Sequence, residues 1–87
     1  MTERDVADWM LEQVQINKYL SQGSAVYEID DMFGDKFTYQ NENGNLAIGK
    51  GVLKEFKKIS GDSVVWDKYD KAWRLRDGDD QPGRQQS

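Results

Sequence analysis

The chain has 87 residues, a net charge of −4 and 11% aromatic side chains, which indicates one small globular domain and excludes a large catalytic cavity. It has no histidine and no cysteine, the residues that most often serve as general bases and transition-metal ligands, so we expect no enzyme, no metal and no cofactor. It has no signal-peptide pattern and no run near the roughly 20 apolar residues of a membrane span, so we expect a cytoplasmic protein without membrane contact.

Charge is unevenly distributed along the chain. Eight acidic and two basic residues give residues 1–35 a net charge of −6, whereas nine basic and five acidic residues give residues 36–76 a net charge of +4. Three Asp and one Arg give residues 77–87 a net charge of −2. The acidic total therefore does not exclude an anionic partner for the basic half.

The first predicted helix covers residues 3–20, after Thr2, a residue type that caps helices. One apolar stripe at the helical period of 3.6 residues consists of Val6, Met10 and Val14. A second stripe consists of Trp9, Ile16 and Leu20. Two stripes indicate that the helix packs against more than one element or against a second subunit, and we expect the second stripe to lie at an interface.

A second helix is predicted from Ala25 to Phe33, with Ser24 as its N-cap and Gly34 just past its end. Its inner face is expected to contain Ala25, Ile29, Met32 and Phe33. The following segment alternates apolar and polar side chains around Asn43-Gly44, a dipeptide typical of tight turns. A small hairpin or an ordered loop fits this pattern, and we favour a partial strand over 37–39 followed by a loop.

The third predicted helix begins near Gly49 and ends at Ser60-Gly61. At about 100° per residue, its apolar side chains fall on one side: Val52, Leu53, Phe56 and Ile59. The other side carries what we call the lysine face: Lys50, Lys54, Lys57 and Lys58. This separation predicts a half-buried helix with a cationic outer surface.

A β-hairpin is predicted over 64–76, with a polar turn near Lys68. Its last strand alternates apolar and basic residues, so we expect Trp73 and Leu75 to face the core. By the same alternation, Arg74 and Arg76 are expected to face solvent.

The predicted organisation is a single α+β domain over 1–76, made of three helices and a C-terminal β-hairpin, followed by a flexible polar tail over 77–87. The tail is predicted because it contains no apolar residue. The expected core consists of Val6, Met10, Val14, Ile29, Phe33, Leu53, Phe56, Ile59, Trp73 and Leu75.

Over residues 4–76 this element order resembles a winged helix-turn-helix domain, although the 34–48 connection is longer than the turn of about three or four residues in a helix-turn-helix. More narrowly, the segments VADWMLEQV, AVYEIDDMFG, FTYQNENGNLAI, VLKEFKK and PGRQQ resemble a family of small uncharacterised bacterial proteins, a domain of unknown function. The closer resemblance implies no activity. The winged-helix resemblance implies that the third helix enters the DNA major groove and that the hairpin contacts the backbone or minor groove.

Two hypotheses follow for a non-catalytic binding module. In the first, weak nucleic-acid binding, the lysine face contacts phosphates together with the hairpin residues Lys68, Lys71, Arg74 and Arg76. The third helix lacks the Arg, Asn and Gln side chains that read base edges, and lysines also occupy exposed helical faces because they favour helix. In the alternative, the chain is a protein-interaction module that forms a homodimer through its first helix or binds a basic partner through its acidic half.

Two other polar motifs do not support a site. If Gly44 held the sixth position of a calcium-binding loop, Tyr39 and Lys50 would stand where acidic ligands are required. The neighbouring acids Asp30 and Asp31 point about 100° apart on a helix, so they do not converge on one metal ion. Neither motif therefore predicts a metal site.

Overall fold

The computed structural model describes residues 2–76 and 85–86. These residues form three helices, α1 (Glu3–Asn17), α2 (Gln22–Phe33) and α3 (Lys50–Ser60), and a 3₁₀ turn, Asp35–Phe37. The strands among them are β1 (Tyr19–Ser21), β2 (Thr38–Gln40), β3 (Leu46–Ile48), β4 (Val64–Asp67), β5 (Ala72–Leu75) and β6 (Gln85–Gln86). The predicted α+β class, with three helices and a hairpin after the third, is confirmed.

The main sheet has the strand order β1-β5-β4-β6. β5 pairs antiparallel with both β1 and β4, so Leu20, Trp73 and Trp66 lie side by side across the sheet. β6 pairs parallel with β4. The predicted flexible tail falls largely on residues 77–84, which lie outside the described residues.

α1 begins with a reciprocal pair of hydrogen bonds, so the predicted cap at Thr2 is confirmed. The Asp5 backbone N–H donates to Thr2 Oγ1 over 3.3 Å, and the Thr2 backbone N–H donates to Asp5 Oδ2 over 2.8 Å. The backbone hydrogen bond, followed by the bond from the Thr2 hydroxyl, lowers the pKa of Asp5 below its ordinary value of 3.8.

We expect Asp5→Asn to weaken the pH dependence of stability in acid. Because the pKa of Asp5 is lower in the folded state, its ionised form stabilises the fold above the unfolded-state pKa, and this is lost as the pH falls through the folded-state pKa. Urea unfolding at about pH 6 and about pH 3 should show a smaller loss of unfolding free energy for Asp5→Asn than for the wild type. An equal loss would contradict this role of Asp5.

α1 ends earlier than predicted. Lys18 adopts a left-handed conformation with φ of 66°, which stops the helix, and the chain continues directly into β1. Leu20 pairs with Trp73 and is only 5% exposed. The prediction of a helix through Leu20 is wrong because pairing with β5, a contact distant in sequence, draws Leu20 into the sheet.

α2 starts earlier than predicted and ends where predicted. Its N-cap is Ser21 rather than Ser24, because the Gln22 N–H donates to the Lys71 carbonyl over 2.9 Å and fixes the start of the helix beside the β4–β5 turn. Gly34 ends the helix with φ of 92°, a conformation that favours glycine.

The buried face of α2 is rotated from the predicted one. Ala25 and Ile29 are buried as expected, and Phe33 packs half-buried against the core. Met32 is 51% exposed, so its predicted inward position is wrong. Val26, about 60° from Ile29 on the other flank of the helix, is buried in its place.

The segment after α2 forms a β2–β3 hairpin, so the favoured prediction of a partial strand and a loop is wrong and the hairpin alternative is confirmed. Asn41 Oδ1 accepts hydrogen bonds from the backbone N–H groups of Asn43 and Asn45 over 2.9 and 3.0 Å. Gly44, with φ of 78°, donates its N–H to the Asn41 carbonyl. These bonds fix the turn and thereby the register of the strands.

The start of α3 is held against the 3₁₀ turn. The Gly49 N–H donates to the Phe37 carbonyl over 2.7 Å. A Cβ atom on Gly49 would lie 2.9 Å from that oxygen, inside van der Waals contact. Only glycine therefore fits this approach without displacing the backbone.

We expect Gly49→Ala to lower the free energy of unfolding by about 1–3 kcal/mol, the usual cost of forcing extra volume into a packed site. Gly23→Ala is the matched control, because a Cβ there meets only Ser21 Oγ at 3.9 Å. Inside a helix that change should stabilise by up to ~1 kcal/mol. Urea unfolding of both variants tests the difference, and equal effects would show that Gly49 has no special role.

The core lies between the helices and one face of the main sheet. Six of the predicted core residues are buried: Val6, Met10, Val14, Ile29, Phe56 and Trp73. The other four pack against them half-buried: Phe33, Leu53, Ile59 and Leu75. The core cluster also contains eight residues outside the expected core: Ala7, Leu20, Ala25, Val26, Phe37, Ile48, Val52 and Val64.

Candidate nucleic-acid interface

α3 is fixed in orientation by its buried side. Val52 and Phe56 are essentially inaccessible to solvent, and the Phe56 ring meets the Trp73 ring edge-on with 5.4 Å between centroids. Ser60 Oγ donates to the Phe56 carbonyl over 2.7 Å inside the core, and Gly61 caps the helix end as predicted. The lysine face must therefore point away from the core.

All four residues of the lysine face are exposed. Lys58 Nζ lies 3.2 Å from Glu55 Oε2, so its charge is partly compensated. Lys50, Lys54 and Lys57 form no ion pair with any residue that the structure describes. They recur at intervals of four and three residues, which spans about 10 Å along the helix. The outer side of α3 thus carries a short row of lysines that form no ion pair among the described residues.

Two carboxylates border this row, Glu3 at the start of α1 and Glu55 on α3 itself. The first turn of α3 has no acidic residue of its own, and Glu3 of α1 lies so close to Gly51 that a Cβ there would overlap Glu3 Oε2. Glu3 and Glu55 line an open groove together with Lys54. Glu3 therefore complements the positive end of the α3 dipole, and this groove has mixed charge.

The tip of the β4–β5 hairpin carries two lysines together with two aspartates, Asp67 and Asp70. Asp67 Oδ1 accepts hydrogen bonds from the N–H groups of Tyr69 and Asp70 over 3.0 and 3.2 Å, and Lys71 completes the turn with φ of 50°. Lys68 and Lys71 are exposed, and Tyr69 is 81% exposed. The predicted hairpin is confirmed, and its turn presents two lysines beside an aromatic ring.

The two arginines that were predicted to contact phosphate differ in exposure from Lys68 and Lys71. Arg74 and Arg76, which were predicted to face solvent, are half-buried and so less accessible than these lysines. Arg74 Nη1 donates to the Leu75 carbonyl over 3.4 Å, and Arg76 Nε donates to the Asp62 carbonyl. Both side chains support the backbone around the sheet, and their role in phosphate binding stays a prediction.

The second stripe of α1 is not one surface. Leu20 belongs to β1 and the core, which removes it as an interface residue. Trp9 is half-buried and packs edge-on against Phe33, with ring centroids 6.1 Å apart. Ile16 is 64% exposed. An interface role for Trp9 and Ile16 stays a prediction.

Sequence analysis missed a groove beside the start of α3. Residues of the β2–β3 hairpin and Lys50 line an open groove of about 380 Å³. The alternation of apolar residues around Asn43-Gly44 was the sequence signal for this hairpin. The pattern did not predict that this hairpin lies next to Lys50 of the lysine face.

The part of the chain that the structure describes contains neither a candidate metal site nor a candidate membrane-spanning helix. Residues 2–76 and 85–86 bring no three Asp or Glu side chains together in a group that could hold a metal ion. None of the helices in the same ranges has both the length and the apolar character needed to cross a membrane.

Comparison with known proteins identifies a sequence family for the chain, but no similar curated protein and no similar solved structure. A search of curated proteins and a search of solved structures each found no match. The sequence model of DUF6953, a family of unknown function, matches residues 2–75. The chain therefore belongs to this family of unknown function.

Proposed function

We propose that the chain is a non-catalytic DNA-binding module of winged-helix type that acts in the bacterial cytoplasm. In this proposal α3 lies in the major groove with its lysine face against phosphates, and the tip of the β4–β5 hairpin contacts the neighbouring backbone. The observation that carries the proposal is the row of Lys50, Lys54 and Lys57, which are exposed and form no ion pair among the described residues.

The topology supports the proposal. β1 follows α1 and joins the β4–β5 hairpin at the edge of the sheet, giving the order β1-β5-β4. Three helices with one such strand after the first helix and a hairpin after the third are the elements of a winged-helix domain. The long α2–α3 connection departs from the usual tight turn, and the β2–β3 hairpin fills it.

The charge distribution supports it as well. α3 carries the four residues of the lysine face and one acid, Glu55. Lys68 and Lys71 share the β4–β5 turn with Asp67 and Asp70, so the net positive charge lies on α3. Most acidic residues of the first 35 lie on α1 and α2. Such a separation favours the approach of a polyanion to the outer side of α3, and Glu3 is the acid of α1 that borders this side. Because the net charge is negative, we expect weak binding that depends on this orientation.

The salt dependence of DNA affinity tests the proposal. Fluorescence anisotropy of a labelled mixed-sequence duplex measures the affinity at about 50 mM and about 200 mM salt. If each of these six lysines neutralises one phosphate, affinity should fall roughly 1,000-fold between the two conditions. Absence of binding at the lower salt concentration, where phosphate attraction is strongest, would overturn the proposal.

A protein-interaction module is the second candidate, and exposed apolar side chains favour it. Ile16 is exposed near the end of α1 and Tyr19 at the start of β1, and Tyr27 and Met32 are exposed on α2. Such side chains are common at protein interfaces. Sedimentation equilibrium over a range of concentrations discriminates this candidate, because self-association would give a dimer mass and the DNA-binding proposal does not need one.

A further inference from the structure

We propose that the β2–β3 hairpin, which lies beside α3, reads the edges of DNA bases. This inference rests on the proposed function. The groove between them is lined by Tyr39, Gln40, Asn41, Glu42, Asn43 and Lys50. Lys50 is the first residue of α3 and belongs to the lysine face. A duplex held by that face therefore passes next to the hairpin.

The hairpin carries the side chains that α3 lacks. The exposed side of α3 has lysines, whereas Gln and Asn carboxamides make the paired hydrogen bonds that recognise adenine in the major groove. Gln40 and Asn43 are both exposed, and both line the protein groove between the hairpin and α3. Asn41 cannot serve in the same way, because its Oδ1 already holds the turn. Among the carboxamides that line the groove, Gln40 and Asn43 are thus the two available to read bases.

The remaining groups favour a base edge over a phosphate at the hairpin. The carboxylate of Glu42 repels phosphate and accepts hydrogen bonds from the amino group of cytosine. Tyr39 is 40% exposed and offers an apolar ring surface, which suits contact with a thymine methyl group. Lys50 supplies the positive charge on the α3 side of the groove. The arrangement places backbone contact on α3 and sequence recognition on the hairpin.

The hairpin is rigid enough for this task. The side-chain bonds of Asn41 fix its turn, and Thr38 Oγ1 donates to Asp30 Oδ1 of α2 over 3.0 Å. The Gly49 N–H bond to Phe37 ties the preceding 3₁₀ turn to the start of α3. Because both ends of the hairpin are anchored, Gln40 and Asn43 are held at a fixed position relative to the lysine face.

Selection from a randomised duplex library tests the inference. We expect the wild type to prefer its selected duplex over a scrambled one by about 5- to 150-fold, the range of one good paired base contact. Gln40→Ala/Asn43→Ala should abolish this preference and leave the affinity for scrambled DNA within about twofold, since phosphate contacts carry that affinity. Both side chains are exposed, and thermal unfolding checks that the variant keeps its fold.

The matched control is Gln15→Ala/Asn17→Ala, which removes the same two residue types at exposed positions on α1, outside the hairpin. It should keep the preference. An unchanged preference in the Gln40→Ala/Asn43→Ala variant, or no preference in a wild type that binds DNA, would overturn the hairpin inference alone. No binding of the wild type to any duplex at low salt would overturn the proposed function, and the inference with it.

Discussion

Phe56→Ala is expected to lower the free energy of unfolding by about 3–5 kcal/mol, the cost of truncating a buried aromatic side chain. Phe56 is fully buried and its ring packs edge-on against Trp73, so it joins α3 to the main sheet. A chain of this length has a total stability of roughly 4–13 kcal/mol. The substitution should therefore remove a large share of that stability and loosen the attachment of α3.

Urea unfolding followed by tryptophan fluorescence measures this loss. Phe56→Leu is the control, because it keeps most of the buried volume and should cost less than about 2 kcal/mol. A loss below ~1 kcal/mol for Phe56→Ala would contradict the described packing of α3 on the sheet.

Lys54→Gln/Lys57→Gln is expected to weaken binding to duplex DNA by roughly 20- to 30-fold at low salt, at ~1 kcal/mol for each lost lysine–phosphate pair. Both lysines are exposed and form no ion pair with a described residue, so no internal partner is left without its charge. Glutamine retains good helix propensity, and the fold should be unaffected. The slope of log affinity against log salt should fall by about 2, close to 0.9 for each phosphate contact.

The control for this experiment is Lys18→Gln/Lys36→Gln. It changes the net charge by the same amount at exposed positions outside α3 and the β4–β5 hairpin. We expect it to leave the slope unchanged. Equal weakening by both variants would mean that total charge, and not the lysine face, determines DNA affinity.

The local sequence pattern was enough to predict a helix where the apolar periodicity and the residues at the ends of that helix are clear. α3 could be placed within a residue because its apolar and lysine faces separate cleanly and glycines stand at both ends. The Thr2 cap and the Gly34 helix end were predictable for the same reason. The lysine face was therefore visible in the sequence, and its exposure follows from the burial of the opposite side.

Prediction failed where contacts distant in sequence decide the outcome. Leu20 continues the helical pattern of α1, yet Lys18 ends the helix and pairing with Trp73 makes Leu20 part of a strand. Met32 and Val26 flank Ile29 about equally, so periodicity alone could not choose which one is buried. The prediction of the site was incomplete for the same reason, because only tertiary folding places Gln40 beside Lys50.

In the proposed complex, DNA contacts α3, the β2–β3 hairpin and the tip of the β4–β5 hairpin, and this can be tested residue by residue in solution. Titration of the ¹⁵N-labelled protein with duplex DNA at low salt, followed by two-dimensional NMR, maps the contact surface. We expect the largest amide shift changes in three segments: 39–43, 50–58 and 68–71. Changes confined to α1 and α2, or no changes at all, would contradict a DNA-binding surface at these elements.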